Sequence, residues 1–239
     1  MELTADVRPS GSLGLKVIRN PDRSVWPQHE LTIDEIVKYA WPQRGADDEV
    51  NAWRRANKHN LARGLRKVLA ARALKIPHIY GALFLTKLTP DGPVDLGLAS
   101  MRLVTANGVK AVTDALNNVT TPLSTMNFHG FGTGVVGEAA TDTALGTEET
   151  TQYATDNTRP TGTGRASAVS GNNATYTTVG TYSPDSGTSP RPITEHGVFS
   201  QAATGGGTLL DRSVFSVVNL VTLADSLQAT YVLTVNSGG

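Results

Sequence analysis

Hydrophobic spacing along this chain starts at two residues, changes to the helical period, and returns to two. Leu13-Gly14-Leu15-Lys16-Val17-Ile18 alternates small or apolar with polar residues, which reads as a short strand, and Asn20-Pro21-Asp22-Arg23 reads as a turn. Such an arm has little core of its own and is expected to pack on another subunit. Thr32-Ile33-Asp34-Glu35 is a capping box: the threonine hydroxyl can accept from the Glu35 amide while the carboxylate reaches back. A short helix should follow with Ile33, Ile36, Val37 and Ala40 on one face, ending at Trp41-Pro42 because a residue before proline avoids helical angles. Asp47-Asp48-Glu49 then opens a longer helix, its acidic first turn suited to the helix dipole. Val50, Trp53, Asn57, Leu61, Leu65, Val68 and Leu69 recur at helical spacing. Arg54, Arg55, Lys58, Arg63, Arg66, Lys67 and Arg72 lie mostly off that stripe, so the element is an amphipathic basic helix ended by Ile76-Pro77.

From His78 the period is that of strands. Residues 79–86 form one, Pro90-Asp91-Gly92 is a turn, and the return strand runs from Val94 to Thr105, which makes a hairpin. Asn107-Gly108 should open a short helix with Val109, Val112, Ala115 and Leu116 on its apolar face, followed by a strand from Thr125 to Gly130. Residues 132–192 are dense in Gly, Thr, Ser, Asn and Pro. Within them, 165–169 and 175–182 read as strands around Gly171-Asn172-Asn173, and the rest as long ordered loop. Three further strands, at 193–199, 209–215 and 227–235, are joined by glycine-rich turns such as Gly205-Gly206-Gly207. Short strands at this spacing predict an antiparallel sandwich or jelly roll. The expected class is α+β: an N-terminal arm with two amphipathic helices over 1–76, and a C-terminal antiparallel β-sandwich or jelly roll with one short helix over 77–239.

Composition sharpens this. Only 18% of residues are charged and 6% aromatic, while small polar residues crowd the segment after Gly130, a mixture suited to strands and turns. With no cysteine, disulfides and thiolate metal sites are excluded. The polar, acidic start carries no secretion signal and no apolar run is long enough to span a bilayer, so a membrane partner is not expected. The triplets Asn118-Val119-Thr120 and Asn173-Ala174-Thr175 match the glycosylation acceptor only by pattern. Net charge is zero but polarised: residues 1–76 hold fourteen Lys/Arg against nine Asp/Glu, and residues 77–239 hold seven against twelve. Complementary halves suit packing between them, or head-to-tail contacts between copies.

Candidate chemistry is sparse. Gly132-Thr133-Gly134-Val135-Val136-Gly137 matches the dinucleotide fingerprint, but that fingerprint needs a following helix and a second parallel strand, and a glycine-rich turn is the better reading; no cofactor is expected. His29, His59, His78, His129 and His196 form no close pair of metal-ligand spacing. His129-Gly130 and His196-Gly197 stand at strand ends that could share one edge, where hydrogen bonding at a strand-to-turn junction is the plain role. No nucleophile elbow occurs, so no enzymatic activity is expected. Glu195 can pair with Arg212 across neighbouring strands as a structural ion pair. Arg54, Arg55, Lys58, Arg63, Arg66 and Lys67 form the candidate interaction surface; clustered cations suit phosphates, but no aromatic platform interleaves them, so nucleic acid is the lesser reading.

Five segments in combination resemble a recurrent module of tailed-bacteriophage virion proteins: Val104-Thr105-Ala106-Asn107-Gly108, the run from Phe128 to Gly134, Asp142 to Leu145, Ile193 to Ser216, and Asp225 to Thr234. The resemblance covers somewhat over half the chain and leaves residues 1–76 without a counterpart. It implies a structural β-sandwich of the kind found in capsid decoration (cement) proteins and in tail or fibre proteins. The expectation is a decoration protein in the virion, assembled in the bacterial host cytoplasm. It would bind the major capsid protein of a phage head as a trimer or dimer. A tail, collar or fibre protein is the alternative, and a nucleic-acid-binding protein using the basic helix a further one.

Overall fold

A computed structural model describes residues 2–7, 13–18, 26–27, 29–117, 123–150, 157–184 and 191–238. The turn at 20–23 and the triplet at 118–120 lie outside them. Glu2–Val7 (β1) pairs antiparallel with Leu13–Ile18 (β2), so the expected strand has a partner that periodicity did not supply. Ile33–Ala40 (α1) begins at the capping box, with Glu35 N donating to Thr32 Oγ1 at 3.2 Å and Thr32 N donating to Glu35 Oε2 at 2.9 Å. The helix buries Ile36 and Ala40 but leaves Ile33 and Val37 outside, so its buried face is narrower than the spacing predicts. Asp48–Ala73 (α2) starts where Asp47 Oδ1 takes the Glu49 amide at 2.7 Å.

Strands His78–Thr89 (β3) and Gly92–Leu103 (β4) form the expected hairpin. The second strand has the anticipated length but begins and ends two residues earlier, because Thr105 turns to cap Ala106–Leu116 (α3), accepting the Gly108 amide at 3.0 Å. The apolar face expected of α3 is not the one it buries. Gly108 and Ala111 face inward, while Val109 and Leu116 stay exposed. The reason is close approach: a Cβ on Gly108 would stand 2.3 Å from the Leu210 carbonyl oxygen, so only the small-residue face reaches the sheet. A 3-10 turn at Leu123–Thr125 takes the place of the expected strand start, and Phe128–Gly132 (β5) follows. Thr163–Ser170 (β6), Asn173–Tyr182 (β7), Arg191–Phe199 (β8), Leu209–Leu220 (β9) and Ser226–Asn236 (β10) complete the order.

The chain is α+β, with two larger antiparallel sheets. Five strands run in the order β4-β3-β10-β7-β6 and three in the order β5-β8-β9. Alternation along β3 sends its side chains to two cores. On one face Leu83 and Leu85 join Tyr182 and Tyr231, Phe131, Ile193 and Phe215 from the smaller sheet, and Val50 and Trp53 from α2. On the other, Tyr80, Ala82 and Phe84 join Trp26, Ile36, Leu61, Leu65 and Val68. Each large apolar side chain so buried contributes about 2 kcal/mol.

Strands β4 and β9 are the outer strands of their sheets, and α2 spans both. Trp53 Nε1 donates to Ser216 O at 2.9 Å, and Arg54 Nε donates to Leu96 O at 2.9 Å. Asn57 accepts from Ser216 N at 2.9 Å on Oδ1 and donates to Ala99 O at 2.8 Å from Nδ2. One amide side chain therefore closes a main-chain gap on each sheet, which an unpaired edge would otherwise leave open. Replacing Asn57 by Ala leaves a buried N–H and a buried carbonyl unpaired. Urea unfolding of Asn57→Ala should show a loss of about 3 kcal/mol, and Asn57→Leu, which restores volume only, should not recover it.

Candidate functional site: a sealed polar core and a basic cavity

The Glu195 side chain is fully buried between the sheet and the loop that leaves β5. Register places Glu195 opposite Val214 and Arg212 opposite Gly197, so the two charged residues are diagonal neighbours on β8 and β9. Arg212 donates to Glu195 Oε2 from Nε at 2.9 Å and from Nη2 at 2.7 Å. Oε2 also takes Gly146 N at 2.9 Å, and Oε1 takes Gly134 N at 2.9 Å and Thr147 N at 2.7 Å. Five donors on one carboxylate leave it no free lone pair for a substrate. Arg212 in turn reaches Asp142 Oδ2 at 3.0 Å and Val136 O at 3.1 Å. Burial alone would lower its pKa, but the two carboxylates reverse this and hold it above the ordinary value. The glycines of the dinucleotide-like run serve this cradle. A Cβ at Gly132 or Gly134 would stand 2.6 or 2.4 Å from Glu195 Oε1. Residues 133–150 contain no helix after the run, so the element that would face a pyrophosphate is missing there.

His129 and His196 meet directly, with His129 Nδ1 and His196 Nε2 2.9 Å apart and His129 Nε2 3.1 Å from Thr178 Oγ1. Thr178 lies on β7 and His129 on β5, so this chain of polar contacts ties the smaller sheet to the larger. Both rings are buried, and desolvation lowers His129 to about 3 and His196 well below its usual value. His129 packs on bare backbone: a Cβ at Gly180 would stand 2.2 Å from its ring. Gly130 and Gly197 leave room for the Phe199 ring, beside Leu145 and Leu209.

Two further clusters are invisible in the sequence pattern. Arg159 pairs with Glu148, its Nη2 donating to Oε2 at 2.8 Å, and holds the 201–206 turn through Gln201 O at 3.0 Å and Gly206 O at 2.8 Å. Its guanidinium also covers the Phe199 ring at 3.5 Å. Behind β4, the buried Asp211 carboxylate lies 3.7 Å from Arg102 Nε and beside the Tyr231 hydroxyl, both packed over Gly81. Burial raises Asp211 to about 7 against the pull of Arg102. Arg102 also donates to the Arg212 carbonyl. Among the described residues no group of three His, Asp or Glu side chains is arranged to hold a metal.

The candidate interaction surface divides. Arg54 does not belong to it: it is buried, donating to the carbonyls of Leu96 and, at 3.2 Å, of Trp41. Residue 54 follows Val50 by four positions and precedes Asn57 by three, so it lies on the buried face of the helix. Arg55, Lys58, Arg63, Arg66 and Lys67 are exposed on α2. Arg63 donates to Glu138 Oε2 at 3.1 Å and to Asn60 Oδ1 at 3.1 Å. Beside it a cavity of about 500 Å³ opens between α2 and β4, lined by Arg63, Arg66, Lys67, Arg102, Glu138 and apolar neighbours. Asn57 was legible as a polar interruption of the apolar stripe; Arg102 and Asp211 gave no such signal. No family model matches the chain, and neither the curated proteins nor the solved structures contain a match to it.

Removing half of the buried ion pair should be severe. Glu195→Gln should lower unfolding free energy by about 3–5 kcal/mol, measured by denaturant titration, with Arg212→Met failing similarly. The Asp211 effect depends on pH. Its folded pKa lies near 7 against 3.8 for the free side chain, so its stabilisation is complete below about 4 and is lost as pH rises to about 7. The buried histidines act oppositely, favouring the fold above about 6.5 and losing that contribution on acidification. The stability of Asp211→Asn relative to the parent chain should therefore climb between pH 4 and 7 and then level off, because the histidine contributions cancel in that difference.

Proposed function

We propose that this chain is a structural virion protein. In this reading it is a decoration protein that binds the exterior of a phage head and reinforces contacts between capsomers. The observation that carries the reading is where the charges go. Glu195, Arg212, His129 and His196 are buried and joined to one another or to the main chain. The chemistry that faces outward is adhesive: the cations of α2, and the exposed apolar side chains of Leu74, Leu116, Val135, Val136 and Val169. A body whose buried Glu195–Arg212 and His129–His196 pairs are satisfied internally, and whose surface is mixed in this way, suits repeated contact better than turnover of a substrate.

The finer architecture belongs to the same proposal. The two sheets, sharing a core of Leu83, Phe131, Ile193, Phe215 and Tyr231, are read as a β-sandwich, and the β1–β2 hairpin as an arm that reaches a neighbouring subunit. A two-stranded hairpin has little stability alone, so an arm of this kind gains order on a partner. The partners are the major capsid protein and further copies of this chain as a trimer or dimer. Contacts of about 1,600 Å² each would give specific attachment.

Mass spectrometry of purified particles should find the protein at hundreds of copies per particle. A few or a dozen copies would move it to the tail, and its absence from particles would end the virion reading. Attachment to stripped heads should weaken as salt is raised, and Arg55→Gln with Lys58→Gln should weaken it further at low salt.

A further inference from the structure

We propose that the cavity between α2 and β4 is a binding site for an oxyanion of the phosphate class, with Arg66, Lys67 and Arg102 as its donors. The inference goes beyond the virion role and does not depend on it. Four cations line the cavity against one acid, Glu138. Glu138 is held by Arg63, which leaves Arg66 and Lys67 with no ion-pair partner among the described residues. Arg102 enters from β4 rather than from the helix. A Cβ on Gly64 would stand 2.6 Å from Arg102 Cβ, so helix and strand touch there and bring the three cations to one opening.

Arg102 is buried, its Nε toward Asp211 and its Nη1 on the Arg212 carbonyl. Its position is thus fixed before any ligand arrives, unlike that of a solvated surface arginine. Nη2 is the Arg102 nitrogen that neither Asp211 nor the Arg212 carbonyl engages, and a charge-assisted hydrogen bond from a fixed group costs less freedom than one from a solvated side chain. Gathering like charges in a partly enclosed space is unfavourable, and an oxyanion relieves it. The cavity, at about 500 Å³, has the size of a small-molecule site. Leu103, Val104 and Ala140 give it an apolar wall, so the space can hold an organic group beside the anion.

Calorimetric titration of the full chain with inorganic phosphate, against chloride at equal ionic strength, tests this. Saturable binding is expected, with a rise in Tm of about 3 °C at roughly ten times Kd. The exposed pair Arg66→Gln and Lys67→Gln should leave the circular dichroism unchanged and weaken binding roughly tenfold or more. Absence of saturable binding, or equal binding by the double variant, overturns the proposal. A short single-stranded oligothymidylate separates the sources. Competition with phosphate assigns the site to a nucleic-acid backbone, and binding of phosphate without competition assigns it to a free phosphate compound.

Discussion

The contact of α2 with the two sheet edges is the constraint on which the rest of the structure depends. Sheets of three and five strands expose main-chain donors and acceptors along their outer strands, and these invite pairing with other chains. Here β4 and β9 are brought side by side, and the helix supplies side chains of the right length to both. Trp53 and Asn57 serve β9, and Arg54 and Asn57 serve β4. The same helix delivers Val50 and Trp53 to one core and Leu61, Leu65 and Val68 to the other. One buried stripe therefore serves two cores, with Arg54 and Asn57 between them reaching the sheet edges.

Behind that clamp the smaller sheet is organised around a carboxylate. Glu195 gathers amides from positions far apart in the chain, and Arg212 gathers Asp142 and the Val136 carbonyl on the outer side. The loop from 133 to 147 is thus ordered by charge and main-chain hydrogen bonding more than by hydrophobic burial. That is why glycine is required at Gly132 and Gly134, where any side chain would enter the carboxylate's space. Arg159 does the same for the 201–206 turn. Loops rich in small polar residues acquire a defined shape here because buried ions provide the fixed points.

The strands from His78 onward and both N-terminal helices were readable, because period and capping are local signals that each segment carries in full. The α+β class follows from them. The face of α3 was not readable: Val109 and Leu116 suggested burial, but approach to the Leu210 carbonyl selects the smallest residues, and that selection belongs to the partner strand. Arg54 misleads for a related reason. Its charge marks it as surface, yet three carbonyls within reach make an interior place favourable. Glu195 and Arg212 were placed by strand spacing. The Asp211, Arg102 and Tyr231 cluster joins three strands whose mutual register no single segment encodes.

The position of β10 in the middle of the larger sheet has a consequence for how the chain is made. It lies between β3 and β7, and it leaves the ribosome after both. Until it emerges, β3 and β7 keep open inner edges, and the core around Leu83, Leu85 and Tyr182 lacks Leu227, Ala229 and Tyr231. Completion of the larger sheet therefore waits on β10, which follows all four of its other strands in the chain, and open strand edges of that kind favour pairing with other chains until they are filled.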